Sequence, residues 1–215
     1  MPNAVLAGIV IVYSIGLIRP VDFRDILRIR IHEFIWAIAA FLGVMLLGTL
    51  QGILAAIIVS LVALAHQTAN PPVYVLGRKR GTNVFRPRSS EHPDDESFPG
   101  LLMVRLEGRL FFLNAERIAD RIRSLMAEAK PRVVLLDLSG VFDLEYSALK
   151  MLAEADKRCR DTGVALWLAG LAPDVYLVIQ RSPLGEALGR ERLFLNVELA
   201  VDKHLARQGT AAPPA

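Results

Sequence analysis

The chain has 215 residues and a single cysteine, Cys159, which excludes an internal disulfide and any metal site built from several thiolates. Its four histidines, His32, His66, His92 and His204, are scattered with no metal-ligand spacing. Gly185 and Gly189 lack the lysine that a phosphate-cradling loop requires. The acidic residues fall on helix surfaces or in a polar linker and form no paired carboxylate site, so no catalytic apparatus and no cofactor are expected. A net charge of +3 is too small to imply nucleic acid as a partner, and no nucleic-acid-binding motif is present. No basic residue precedes the first apolar run, and Leu17-Ile18-Arg19-Pro20 offers no small-residue cleavage site, which argues against a cleaved signal peptide. The most informative absence lies in residues 34–65, FIWAIAAFLGVMLLGTLQGILAAIIVSLVALA, which contain no Asp, Glu, Lys, Arg or His.

The mean hydropathy of +0.39 hides a split between a strongly apolar stretch, residues 1–65, and the mixed composition of a soluble domain, residues 66–215. Residues 4–18 read as a membrane segment in which Gly8, Ser14 and Gly16 permit close helix packing. Residues 19–33 form a polar connector with Arg19, Arg24, Arg28 and Arg30 against Asp22, Asp25 and Glu33; the interleaved Ile26, Leu27, Ile29 and Ile31 predict a short helix lying at the interface. As one helix, residues 34–65 would be roughly 48 Å long, too long for one crossing of a hydrocarbon core about 30 Å thick and too short for two. Basic clusters flank the run on both sides, with Arg78-Lys79-Arg80, Arg86 and Arg88 following it. Basic flanks favour the cytoplasm, so the run is expected to turn back as a hairpin of short helices at Gly48, Gln51 and Gly52. A turn at membrane depth needs other protein to shield its backbone, which implies partner helices.

Residues 69–98 read as a flexible linker, with Pro71-Pro72, a basic cluster suited to anionic lipid headgroups, and then SSEHPDDES. A compact α/β domain follows over residues 99–206, and residues 207–215 read as a disordered tail. Residues 101–106 and 109–113 read as two strands around a hairpin at Glu107-Gly108, and Asn114 as the N-cap of the next helix. Residues 133–138 (VVLLDL) read as a strand buried on both faces and broken by Ser139-Gly140. Later elements complete the order β-β-α-β-α-β-α-β-α, a largely parallel sheet with helices packed on it.

The segment from Asp137 to Leu149 leaves a buried strand and opens a helix, where α/β sheets place ligand sites. Asp137, Ser139, Asp143 and Ser147 are therefore the candidate regulatory, partner-binding or anion-binding residues. Ser147 is either a phosphorylatable or anion-accepting serine near a helix N-terminus, or a helix cap in a loop shaped by Asp137 and Asp143.

On these residues the soluble half resembles a STAS domain, the fold shared by bacterial anti-sigma factor antagonists and the tails of SulP-family anion permeases. The antagonist loop reads roughly Asp-Ser-Ser-Gly; here Glu145, Tyr146, Ser147 and Ala148 stand at those positions, keeping the hydroxyl while the glycine is replaced. LWLAGLAPDV, RSPLGEALGRERLF and FFLNA are similar to the permease version, and PNAVLAGIVIV with the short helices around Gly43, Gly48 and Gly52 is similar to the last helices of a SulP transporter. The resemblance implies α-helical membrane segments followed by an α/β STAS domain with a mixed, mostly parallel sheet. It implies a multi-pass protein of the cytoplasmic membrane with its STAS domain in the cytoplasm, regulating transport of an inorganic, sulfate-like anion. The partners implied are the remainder of a transporter membrane domain or a second copy of the chain, membrane lipids, and a cytoplasmic regulatory protein or nucleotide. SulP permeases build the anion site from earlier helices, so the chain alone is expected to lack it. The alternative is a membrane-tethered antagonist-like signalling module switched by phosphorylation at Ser147.

Overall fold

The computed structural model describes residues 2–17, 19–29 and 31–210, in two compact units, Met1–His66 and Gln67–Ala215. Four helices make up the first: α1 (Pro2–Leu17), α2 (Pro20–Ile29), α3 (Ile31–Leu47) and α4 (Thr49–Ala69), the last running into the second unit. Pro20 opens α2, where its missing N–H costs nothing. Gly48 separates α3 from α4 with φ +86°, a left-handed conformation that glycine adopts without the clash a Cβ would cause. The turn expected over residues 48–52 is thus confined to Gly48, and Gln51 and Gly52 are helical. Gly52 serves close approach instead, because a Cβ there would lie 2.4 Å from the Val44 Cα. The arms differ in length, 17 residues in α3 and 21 in α4. Among the described residues, Leu50–Ala69 is the helix long and apolar enough to cross a membrane, while Ala4–Leu17 and Phe34–Leu46 are apolar but shorter.

The second unit holds a six-stranded sheet of β1 (Val73–Arg78), β2 (Phe85–Pro87), β3 (Leu101–Leu110), β4 (Val133–Leu144), β5 (Ala165–Ala169) and β6 (Leu193–Phe194), in the order β2-β1-β3-β4-β5-β6. Strands β3 to β6 run parallel, and β1 pairs antiparallel with both β2 and β3. The helices are α5 (Phe112–Ala129), α6 (Tyr146–Asp161), α7 (Pro173–Gln180), α8 (Pro183–Leu188) and α9 (Val197–Thr210). Alternation along the strands sorts the core into two faces. Leu102, Val104, Val134, Leu136 and Leu166 pack with residues of α5 to α8 on one face. Leu101, Met103, Leu135 and Trp167 pack with Val197, Ala200 and Val201 of α9 on the other.

Several expectations change. The stretch expected to be a flexible linker carries β1 and β2, and its acidic part is pinned by Arg86 to Asp95 at 2.8 Å and Arg78 to Glu96 at 2.7 Å. Residues 101–113 hold one strand rather than a hairpin; Gly108 takes φ +87° at a register shift inside it. Ser139-Gly140 does not end β4, which runs on to Leu144. Where Arg105 to Glu107 spans two steps of β3, Asp137 to Gly140 spans three of β4, so β4 bulges there and again before Asp143. The bulges explain why Leu138, Val141 and Leu144 reach the same core three residues apart, not two. Of the expected tail, residues 207–210 belong to α9, and residues 211–215 lie outside the described residues.

Candidate functional site

The expected site residues divide between two places. Asp137 lies in β4 opposite Arg105 of β3, and its side chain is only 2% exposed. Its Oδ2 accepts a hydrogen bond from Arg105 Nε at 2.7 Å, and its Oδ1 accepts one from the Ser139 N–H at 3.0 Å. A buried carboxylate with a guanidinium and an amide on it is compensated, and it fixes the bulge that follows. Gly170, just after β5, closes over this pair with φ +69°, and a Cβ there would lie 2.9 Å from Asp137 Oδ1. Together with Asn196 and Glu198 these residues line a recess of about 280 Å³ at the carboxyl ends of the strands. In the recess Asn196 Oδ1 accepts the Leu199 N–H at 2.9 Å and caps α9.

Beyond β5, the β3–β4 ribbon continues alone and carries Arg109 opposite Asp143. Arg109 Nε meets Asp143 Oδ2 at 2.7 Å, and its Nη2 meets Glu145 Oε1 at 2.7 Å, all three side chains being substantially exposed. Asp143 therefore holds the approach to α6 rather than joining Asp137. Glu145 occupies the N-cap position of α6 without a side-chain cap bond, so Ser147, one residue into the helix beyond Tyr146, is not the cap. Its Oγ is buried and has no hydrogen-bond partner among the described residues. Ser147 lines a groove of about 320 Å³ between α5 and α6, with Glu116, Arg123, Lys150, Glu154 and Arg158. The groove lies on the helical side packed by α5 to α8, while Asp137 faces the α9 side.

Asn114 is not the N-cap either. Phe111 holds that position, and Asn114 is buried in the first turn of α5. Its Oδ1 accepts the Phe111 N–H at 3.0 Å, and its Nδ2 donates to the Arg109 carbonyl at 2.8 Å. It thus does half of a capping box from inside the helix.

Sequence reasoning missed Arg105, Arg109 and Gly170. A lone arginine inside an apolar strand such as LLMVRL was the available signal for the first, since a charge there needs a partner. Among the described residues no cluster of His, Cys, Asp or Glu could hold a metal ion. Cys159 has its thiol pushed up by burial and by the nearby Asp156 carboxylate, so it is a poor nucleophile.

Residues 92–200 match the model of the STAS domain. The chain belongs to the STAS domain family. It is 30% identical over 210 residues to high affinity sulfate transporter 2 of Stylosanthes hamata, a match covering 93% of this chain and 32% of that protein. Sulfate transporter 1.1 of Arabidopsis thaliana matches with the same identity and coverage. The chain thus spans about a third of the length of the curated relatives it matches. Its fold is similar to that of murine Solute Carrier 26 family member A9, an anion transporter solved in the inward-facing state, with a TM-score of 0.78 and 20% identity over 88% of this chain and 31% of that one. Likeness to the sulfate transporters therefore extends beyond the STAS domain into the apolar helices, in the same order along the chain.

Proposed function

We propose that the chain is the C-terminal part of a SulP-type inorganic anion transporter, with sulfate or a similar oxyanion as the cargo of the whole protein. In this reading α1, α3 and α4 are membrane segments, α2 lies at the interface, and the STAS domain sits in the cytoplasm and regulates transport or assembly. Its partners are the rest of the transporter membrane domain, a second copy of the chain, lipid headgroups, and a regulatory protein or nucleotide at the faces carrying Asp137 and Ser147. The observation that carries this reading is the single alignment to sulfate transporters through 93% of the chain, apolar helices and STAS domain together. Gly52, packed against the backbone of Val44, adds physical support for a helical hairpin. Sulfate uptake into vesicles tests it. The chain alone should give no saturable uptake, and the transporter that carries it should. Saturable uptake by the purified chain would overturn the reading.

The burial of Ser147 Oγ weighs against the second reading, a module switched by phosphorylation at that serine. Incubation with cell extract and labelled ATP separates the two: label that disappears in Ser147→Ala supports the switch, and no label at all removes it.

A further inference from the structure

The groove that Ser147 lines does not end at its surface. It shares Ala119, Arg123, Met151 and Arg158 with a deeper cavity of about 210 Å³ beneath the α5–α6 seam. The inner walls are Ile122, Met126, Leu136, Leu152 and Leu166, with Cys159 among them. The cavity opens to solvent beside Arg123 and Arg158, so an aliphatic chain could enter it and remove its apolar walls from water. The whole concavity is therefore amphipathic. Its depth is aliphatic, its mouth carries Arg123, Lys150 and Arg158 against Glu116 and Glu154, and Ser147 Oγ is present there without a partner among the described residues. Arg123 is paired to Asp120, and Arg158 lies 3.9 Å from Glu154, but all four side chains are about half exposed, and such surface pairs exchange readily for another anion.

We propose that this seam binds a medium-chain aliphatic carboxylate, tail inward and carboxylate between Arg123 and Arg158. A dry cavity of about 150 Å³ accommodates a six-carbon ring, so the volume here takes a chain of about eight carbons. Two arginine forks suit a carboxylate in geometry as well as in sign. The assignment concerns the domain itself and does not rest on the transport reading.

The lone cysteine provides the test, because Cys159 lines the cavity and its modification reports whether the space is filled. The full chain in lipid nanodiscs is treated with N-ethylmaleimide, and labelling is followed by mass spectrometry with octanoate, octyltrimethylammonium or acetate present. Octanoate should slow labelling about tenfold, while the same tail with a cationic head, and the same head without a tail, should leave it unchanged. In Arg123→Ala/Arg158→Ala the ratio of unprotected to octanoate-protected rates, each measured in that variant, should fall to one; the unprotected rate itself is expected to shift, because Arg158 acts on the Cys159 thiol and both arginines line the cavity. Equal protection by octyltrimethylammonium would mean an unselective apolar void, protection by acetate would mean a simple anion site, and either overturns the proposal. As a second measurement, equilibrium dialysis of labelled octanoate should show one saturable site per chain, weakened about tenfold in the double variant. Absence of a saturable site overturns the proposal whatever the reactivity of Cys159.

Discussion

Two glycines with the same backbone conformation allow the closure over Asp137 to be measured. Gly163 has φ +72° and Gly170 has φ +69°, but a Cβ at Gly163 would meet nothing within 4 Å. At Gly170 it would meet Asp137 Oδ1 at 2.9 Å, Ser139 Cβ at 3.0 Å and Ser139 N at 3.1 Å. In both, alanine incurs the left-handed penalty of about 1–2 kcal/mol, offset by up to about 1 kcal/mol from a stiffer unfolded chain. Gly163→Ala should therefore cost between about 0 and 2 kcal/mol. Gly170→Ala must in addition push aside a buried carboxylate that accepts bonds from Arg105 and Ser139, and disturbing such a group costs about 1–3 kcal/mol more. Urea unfolding of the Gln67–Ala215 unit, read by tryptophan fluorescence, compares the two directly. With a slope of about 2 kcal/mol per molar, the two midpoints should differ by about 1 M. Midpoints that coincide would refute the idea that Gly170 is required for close approach to Asp137.

Three further outcomes can be checked. Arg86 holds the Asp95 carboxyl below its usual range through their hydrogen bond, so the stability this pair adds is full above about pH 4 and is lost as pH falls through the lowered value; the difference in urea midpoint between wild type and Arg86→Ala should be constant from pH 8 to about pH 5 and shrink towards pH 3. Asp156, with a side chain only 1% exposed, meets Arg160 and Arg192 at 3.1 Å each; both arginines reach solvent, so Asp156→Ala should cost about 1–3 kcal/mol through the lost charge-assisted bonds and lower the melting temperature by about 5 °C by circular dichroism. If the helical hairpin keeps both flanks in the cytoplasm, single cysteines at Ile29 and at Thr68 should both escape an impermeant maleimide applied to intact cells, and labelling of one alone would mean a single crossing.

What was legible in the sequence was whatever local chemistry decides. VVLLDL reads as a doubly buried strand because Val133 and Leu135 face α9 while Val134 and Leu136 face α5 and α6, and no polar alternation competes. The break in residues 34–65 was legible because an uncharged run too long for one crossing and too short for two must turn; that Gly48 turns the chain while Gly52 serves close packing was not. The strands within residues 71–97 were not legible. Their order comes from pairing with β3 and from Arg86–Asp95 and Arg78–Glu96, contacts that join a basic block to an acidic one across 9 and 18 residues; composition alone reads the same blocks as disorder. Glu107-Gly108 resembles a hairpin turn for a related reason. A left-handed glycine serves a strand opposite a partner's bulge as well as a turn, and only the partner strand tells them apart. The candidate site was half legible. Asp137, Ser139, Asp143 and Ser147 are close in sequence, but the two bulges of β4 break its alternation and set Ser147 on the opposite side of the sheet from Asp137.

That separation has a thermodynamic consequence. Asp137 engages Arg105 and Ser139 on the side of α9, and Ser147 lines the α5–α6 groove, so the two share no partner and no cavity wall. Asp137→Asn weakens a charge-assisted bond and should cost about 1.5–3 kcal/mol. Ser147→Ala removes a buried hydroxyl that makes no bond among the described residues, so it should be neutral or stabilising by up to about 1 kcal/mol. Groups without shared contacts combine additively to within about 0.5 kcal/mol. The double variant should therefore unfold at the free energy given by adding the two single changes, measured by urea denaturation of the Gln67–Ala215 unit. A coupling above about 1 kcal/mol would mean that the two faces act as one site through β4, and the division of the candidate residues into two sites would fall.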